Sequence, residues 1–189
     1  MNANEFGGSL GHSFAMTGCN AVEGTTIFTA CQDVCEMVRS YWLDGTTFLE
    51  KGDTINAVAA FGYAFGWLSA GQLIGVIMCR YEHQIPWVSE IIPADDKEKL
   101  NRKTMRYFQM LTFALHSLSC ASENSTCLWK GAQRVLIEAR NARKTGMKHC
   151  INDRRINALI WFSYGHGWLD ASVRIGLFEI RERRELFTI

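Results

Sequence analysis

The sequence predicts an all-α protein, a helical bundle of about five main helices built from two internally duplicated units. Three observations carry that reading. Residues 55–77, INAVAAFGYAFGWLSAGQLIGVI, lie without a gap on residues 156–178, INALIWFSYGHGWLDASVRIGLF. The two stretches share Ile-Asn-Ala, Phe61/Phe162, Tyr63/Tyr164, Gly-Trp-Leu and Ile-Gly, and matches in one register that include two Trp mark a duplication. Apolar residues also recur at three- and four-residue steps, which puts them on one face of a helix. Finally, both prolines of the chain, Pro86 and Pro93, fall in one short stretch, HQIPWVSEIIP, where a missing amide hydrogen and a restricted preceding residue separate the units.

The elements follow in order. Residues 1–24 hold Gly7, Gly8, Gly11, Gly18 and Gly24 without a secretion-signal pattern, and read as a loose leader. Thr25 or Thr26 then caps a helix whose stripe is Ile27, Ala30, Val34, Val38, Tyr41, Gly45 and Phe48. Lys51-Gly52-Asp53 stops it and caps the next helix, expected from Asp53 to about Tyr81. These two helices form a partial first copy over 25–82, and a linker occupies 83–93. Pro93 followed by Asp95, Asp96 and Glu98 starts the full second copy, 94–185. Its first helix ends in the polar run Ser117 to Thr126, and Ser125 or Thr126 caps a fourth helix expected to stop at Gly146. Asn152 is expected to cap the fifth, with Ile151 as a hydrophobic staple on Ile156, and that helix to continue into RERREL.

Between Thr54 and Cys79 no charge interrupts the second helix, so a membrane span has to be weighed. The duplicate helix carries His166, Asp170 and Arg174, and two copies of one unit share one environment; no membrane partner is expected. Seven cysteines without a C-x-x-C pair fit reduced thiols in a cytoplasm. His12, Cys19, Cys31 and Cys35 make a poor ligand set, so neither a metal nor another cofactor is expected.

Within the repeated motif, Gly62, Gly66 and Ala70, like Ser163, Gly167 and Ala171, are spaced by four. Bare faces of this kind let another helix approach, with Trp67 and Trp168 covering the edge; Gly66, Trp67, Gly167 and Trp168 are therefore read as packing residues. The run Phe-x-Tyr-x-x-Gly-Trp-Leu-Asp-Ala followed by Ile-Gly-Leu-Phe resembles the signature of the archaeal family catalogued as domain of unknown function 357. The second copy resembles the whole domain and the first only its last two helices, with Ser69 where the motif has Asp170. The resemblance implies a small up-and-down helical bundle and lends no catalytic residue.

His166 and Asp170 are four apart on one helix face, and in the other copy they change together to Phe65 and Ser69. They are read as a satisfied contact, or alternatively as a general base oriented by a carboxylate with Tyr164 nearby. Arg143 and His149 have a helical-ribonuclease spacing, which Gly146 is expected to interrupt. Although net charge is +1, the first quarter of the chain is acidic, whereas Arg140, Arg143, Lys144, Lys148, Arg154 and Arg155 make a basic patch for an anion or partner. This asymmetry points to attraction between copies, within or between chains. The expected function is thus a non-enzymatic interaction or scaffolding protein, a homo-oligomer or a binder of a protein partner. The alternative is a nucleic-acid-binding or hydrolytic protein using His166, Asp170 and the basic fourth and fifth helices.

Overall fold

The computed structural model describes residues 1–19, 21–79 and 85–188. Among them are six α-helices: α1 (Ala3–Ala15), α2 (Thr26–Glu50), α3 (Thr54–Ile74), α4 (Lys97–Ser117), α5 (Cys127–Ile151) and α6 (Arg155–Arg174). Two small antiparallel ribbons accompany them, β1 (Thr17–Gly18) with β2 (Met78–Cys79) and β3 (Leu118–Cys120) with β4 (Phe178–Ile180). Helices α3 and α6 form the centre and pack on each other; α2 flanks α3 and α5 flanks α6. The fold is an all-α bundle.

The offset that lays Ile55 on Ile156 also lays Thr25 on Thr126, α2 on α5, and β1 on the start of β3. Thr25 and Thr126 each cap their helix by accepting from the amide three residues on, Phe28 at 3.2 Å and Trp129 at 3.1 Å. Continued backward, the offset places α1 on the second half of α4, with Leu10 on Leu111, both fully buried. The first copy therefore has all three helices of the unit, although α1 has 13 residues against 21 in α4.

That corrects the loose leader expected over 1–24. Asn2 and Glu5 form a capping box, and Phe6 and Leu10 are fully buried against the core. The glycines that suggested looseness serve contact instead. A Cβ on Gly7 would lie closer than 3.0 Å to the Phe61 ring, and one on Gly11 would lie 3.1 Å from Trp42. With those side chains missing, the Trp42 indole reaches α1 and donates to the Gly7 carbonyl at 3.1 Å.

Other boundaries differ for equally local reasons. Gly146 does not end α5: it lies buried within the helix because the Phe162 ring occupies the space of a side chain there, as Phe61 does at Gly45. Asn152 closes α5 and does not cap α6; the N-cap of α6 is Arg154. Ile151 is 80% exposed and staples nothing. Helix α3 ends at Ile74 because Gly75 takes a left-handed conformation (φ 84°), which glycine adopts without steric cost. The expected end at Tyr81 and the start of the linker at His83 lie outside the described residues. Helix α6 ends at Arg174, so RERREL is not helical continuation; it follows β4 and contains a short 3-10 turn, Arg184–Leu186. By length and composition α3 could cross a membrane, yet 83% of its apolar window is buried inside the protein.

Candidate functional site

The site begins with the crossing of α3 and α6. A Cβ on Gly66 would fall closer than 3.0 Å to the Tyr164 carbonyl oxygen, and one on Gly167 equally close to the Tyr63 carbonyl oxygen. The two backbones thus touch across the bare faces, so a side chain on α3 meets its partner on α6. Trp67 and Trp168 flank the crossing at 0% and 4% exposure.

One turn from this contact lies Asp170, fully buried. It accepts hydrogen bonds from the Tyr63 hydroxyl, the Thr188 amide (3.0 Å) and the Thr188 hydroxyl. A carboxylate removed from water is tolerated only when its oxygens are hydrogen-bonded, and these three donors reach both of them. His166 is not among its hydrogen-bond partners, which corrects the expected His-Asp contact. The imidazole is packed instead between the Phe187 ring (6.2 Å) and the Tyr63 ring (6.0 Å), with the Leu186 backbone in hydrogen-bonding reach. Its Nδ1 is buried without a partner. Burial holds His166 below its ordinary pKa of 6.5, against the opposing pull of the Asp170 charge, so the ring is neutral near pH 7. Burial, reinforced by Asp170, likewise pushes the phenols of Tyr63 and Tyr41 above their ordinary range. Tyr41 lies over Tyr63 with ring centroids 4.3 Å apart.

Tyr164 is not part of this cluster. It lies against Trp168 (6.1 Å) and beside Ser69, which is the mirror of the Tyr63–Asp170 arrangement under the duplication. Sequence reasoning missed Phe187 and Thr188 because they return to α6 from the segment after β4, and it missed Tyr63 for another reason. It treated each motif as a face of its own helix, whereas crossing duplicates place a residue of one copy against the other copy. A usable signal was present: the tyrosine is kept in both copies, while the residue matched against it across the crossing is Asp170 in one and Ser69 in the other.

Above the cluster opens a cavity of about 390 Å³ that reaches Tyr41, Tyr107, Lys103, Asp44 and Glu185. The Lys103 ammonium donates to the Asn56 side-chain oxygen, lies 5.3 Å from the Tyr107 ring centroid, and has its pKa lowered by burial.

Arg140, Lys144 and Lys148 are exposed along α5, while Arg143 is half-buried. Arg154 stacks over Trp87 at 4.8 Å, and Arg155 approaches Asp153 at 3.7 Å. Among the described residues no His, Cys, Asp and Glu are grouped so as to hold a metal ion.

The sequence profile of the family described as "Protein of unknown function (DUF357)" matches residues 13–77 and 106–178. The chain belongs to this family. Its first matched segment begins only in the last turn of α1, so the match covers little of the shortened helix that opens the first copy. No curated protein and no solved structure matches the DUF357 chain.

Proposed function

We propose that this DUF357 protein is a non-enzymatic interaction protein of the cytoplasm, and that it self-associates by setting α2 of one copy against α5 of another. The carrying observation is the opposite charge of two duplicate helices on opposite flanks of the bundle. Helix α2 holds Asp33, Glu36, Asp44 and Glu50 against Arg39. Helix α5 holds Lys130, Arg134, Arg140, Arg143, Lys144 and Lys148 against Glu138. Because α2 packs on α3 and α5 on α6, attraction between them finds its outlet between chains. Apolar side chains stand among the charges, Leu43 at 51% exposure on α2 and Ile137 and Ile151 at 51% and 80% on α5. A contact of unlike surfaces adds subunits head to tail, or closes into a ring. The site at Asp170 supports a non-catalytic reading: its acceptors are occupied and His166 is not aligned by it. Cys19, Cys31, Cys35, Cys120, Cys127 and Cys150 are free, in keeping with a reducing compartment.

Sedimentation at low and high salt tests this reading. Association should weaken with salt, and two variants, Arg140→Glu with Lys144→Glu and Glu36→Lys with Glu50→Lys, should each be monomeric alone but associate when mixed. A monomer under all conditions would refute it. So would an RNA or DNA complex with a steep salt slope and no self-association, which would assign the basic helix to nucleic acid.

A further inference from the structure

The duplication supplies its own control for the cavity beside His166. The offset that relates the copies matches Ala59 with Ile160, Ala60 with Trp161, Tyr107 with Phe6 and His166 with Phe65. In the second setting the space is packed: Phe6 stacks on Phe65 with centroids 5.4 Å apart, and Phe6, Phe65 and Ile160 are at most 1% exposed. In the first setting smaller side chains leave about 390 Å³, and the two rings that would fill it are a phenol and an imidazole. The imidazole is 3% exposed, with a ring nitrogen that has no partner. A packed core was thus available to this fold, and one of the two positions was opened and made polar. Giving up the packing of a filled position costs stability, so a pocket opened where the duplicate is filled marks a place where something else binds.

The lining indicates the ligand's charge. Three tyrosines, Tyr41, Tyr63 and Tyr107, line it, and aromatic rings attract cations. Two carboxylates, Asp44 and Glu185, stand at the cavity, and a third, Asp170, lies beneath Tyr63. The opposing charge is Lys103, tethered to Asn56, and its own ammonium already rests against the Tyr107 face. We infer that this cavity is a binding site for a small organic cation, with an ammonium or methylated ammonium group held against the tyrosines and facing Asp44 and Glu185. The site shares Asp44 with the acidic face of α2, whereas the association variants change Glu36, Glu50, Arg140 and Lys144, so the two readings can fail separately.

Titration calorimetry on the full chain tests the inference with choline and its uncharged carbon isostere, 3,3-dimethylbutanol. The two have nearly the same shape, so charge alone separates them. Choline should bind saturably and the isostere about tenfold more weakly or worse. Asp44→Asn with Glu185→Gln should weaken choline by about tenfold. Ala60→Trp, which imports the residue of the other copy, should abolish binding while a thermal melt shows the bundle folded. If that variant does not fold, the carboxylate pair decides alone. Equal binding of the isostere would reduce the cavity to an apolar hole. The site would fall if choline, tetramethylammonium and benzyltrimethylammonium all gave no saturable heat, or if the carboxylate variants bound choline unchanged.

Discussion

Substituting Gly167 by Ala adds one methyl group at the point where α6 touches α3. That Cβ would lie closer than 3.0 Å to the Tyr63 carbonyl oxygen and 3.1 Å from the Gly66 Cα. Comfortable non-bonded separations are about 3.5 Å, so the helices must part by several tenths of an ångström or more. Both opposing atoms are backbone, and no side-chain rotation relieves the clash. Overpacking of this kind costs about 3 kcal/mol, while replacing an interior helical Gly by Ala returns about 1 kcal/mol. The expected net loss is about 2 kcal/mol. Gly131 provides the matched control, because it lies inside α5 with nothing within 4 Å of a built Cβ. Gly131→Ala should therefore stabilise, by about 0.4–1 kcal/mol. Urea melts at constant m-value read both differences directly. A Gly167→Ala variant as stable as the wild type, or moving with Gly131→Ala, would refute the close-crossing argument.

Three further outcomes are expected. Below its ordinary pKa of 6.5 an unfolded histidine takes up a proton that the buried His166 refuses, so stability present at pH 7 should be lost as pH falls toward 5. The slope contributed by one such proton is at most about 1.4 kcal/mol per pH unit, and His166→Phe should flatten a series of melts over that window. A double-mutant cycle of Tyr63→Phe with Asp170→Asn should show a coupling of about 0.5–3 kcal/mol, and the cycle of His166→Phe with Asp170→Asn a smaller one; the reverse order would restore the direct His-Asp pair. Phe6→Ala should lower stability by about 3 kcal/mol in denaturant melts, since a loose leader would tolerate the change with none.

Much of the bundle was legible because its signals are local. Thr25, Thr126 and Asp53 each cap a helix through their own side chain, and a cap is written in the residue that makes it. The duplication was legible because α3 and α6 keep the same small and aromatic residues where they meet. What stayed hidden depends on neighbours distant in sequence. Gly7 and Gly146 look like breakers until the rings of Phe61 and Phe162 are placed over them. Helix α1 escaped notice because its glycines lower helix propensity, and the burial of Phe6 and Leu10 that overrides this is tertiary. At the site, His166 and Asp170 were found but mispaired, since Thr188 arrives from the end of the described chain and Tyr63 from the other copy.

The Gly66–Gly167 contact also bears on how such a protein changes over generations. Two identical units meeting at equivalent glycines would form a symmetric dimer, and any substitution in one cavity would appear in both. Joining the units in a single chain breaks that constraint. Ile160 and Trp161 can then keep one position filled as a structural anchor while Ala59 and Ala60 leave its counterpart open. Fusion lets one of the two equivalent positions between the copies secure the fold and leaves the other free to vary, a division of labour unavailable to a homodimer.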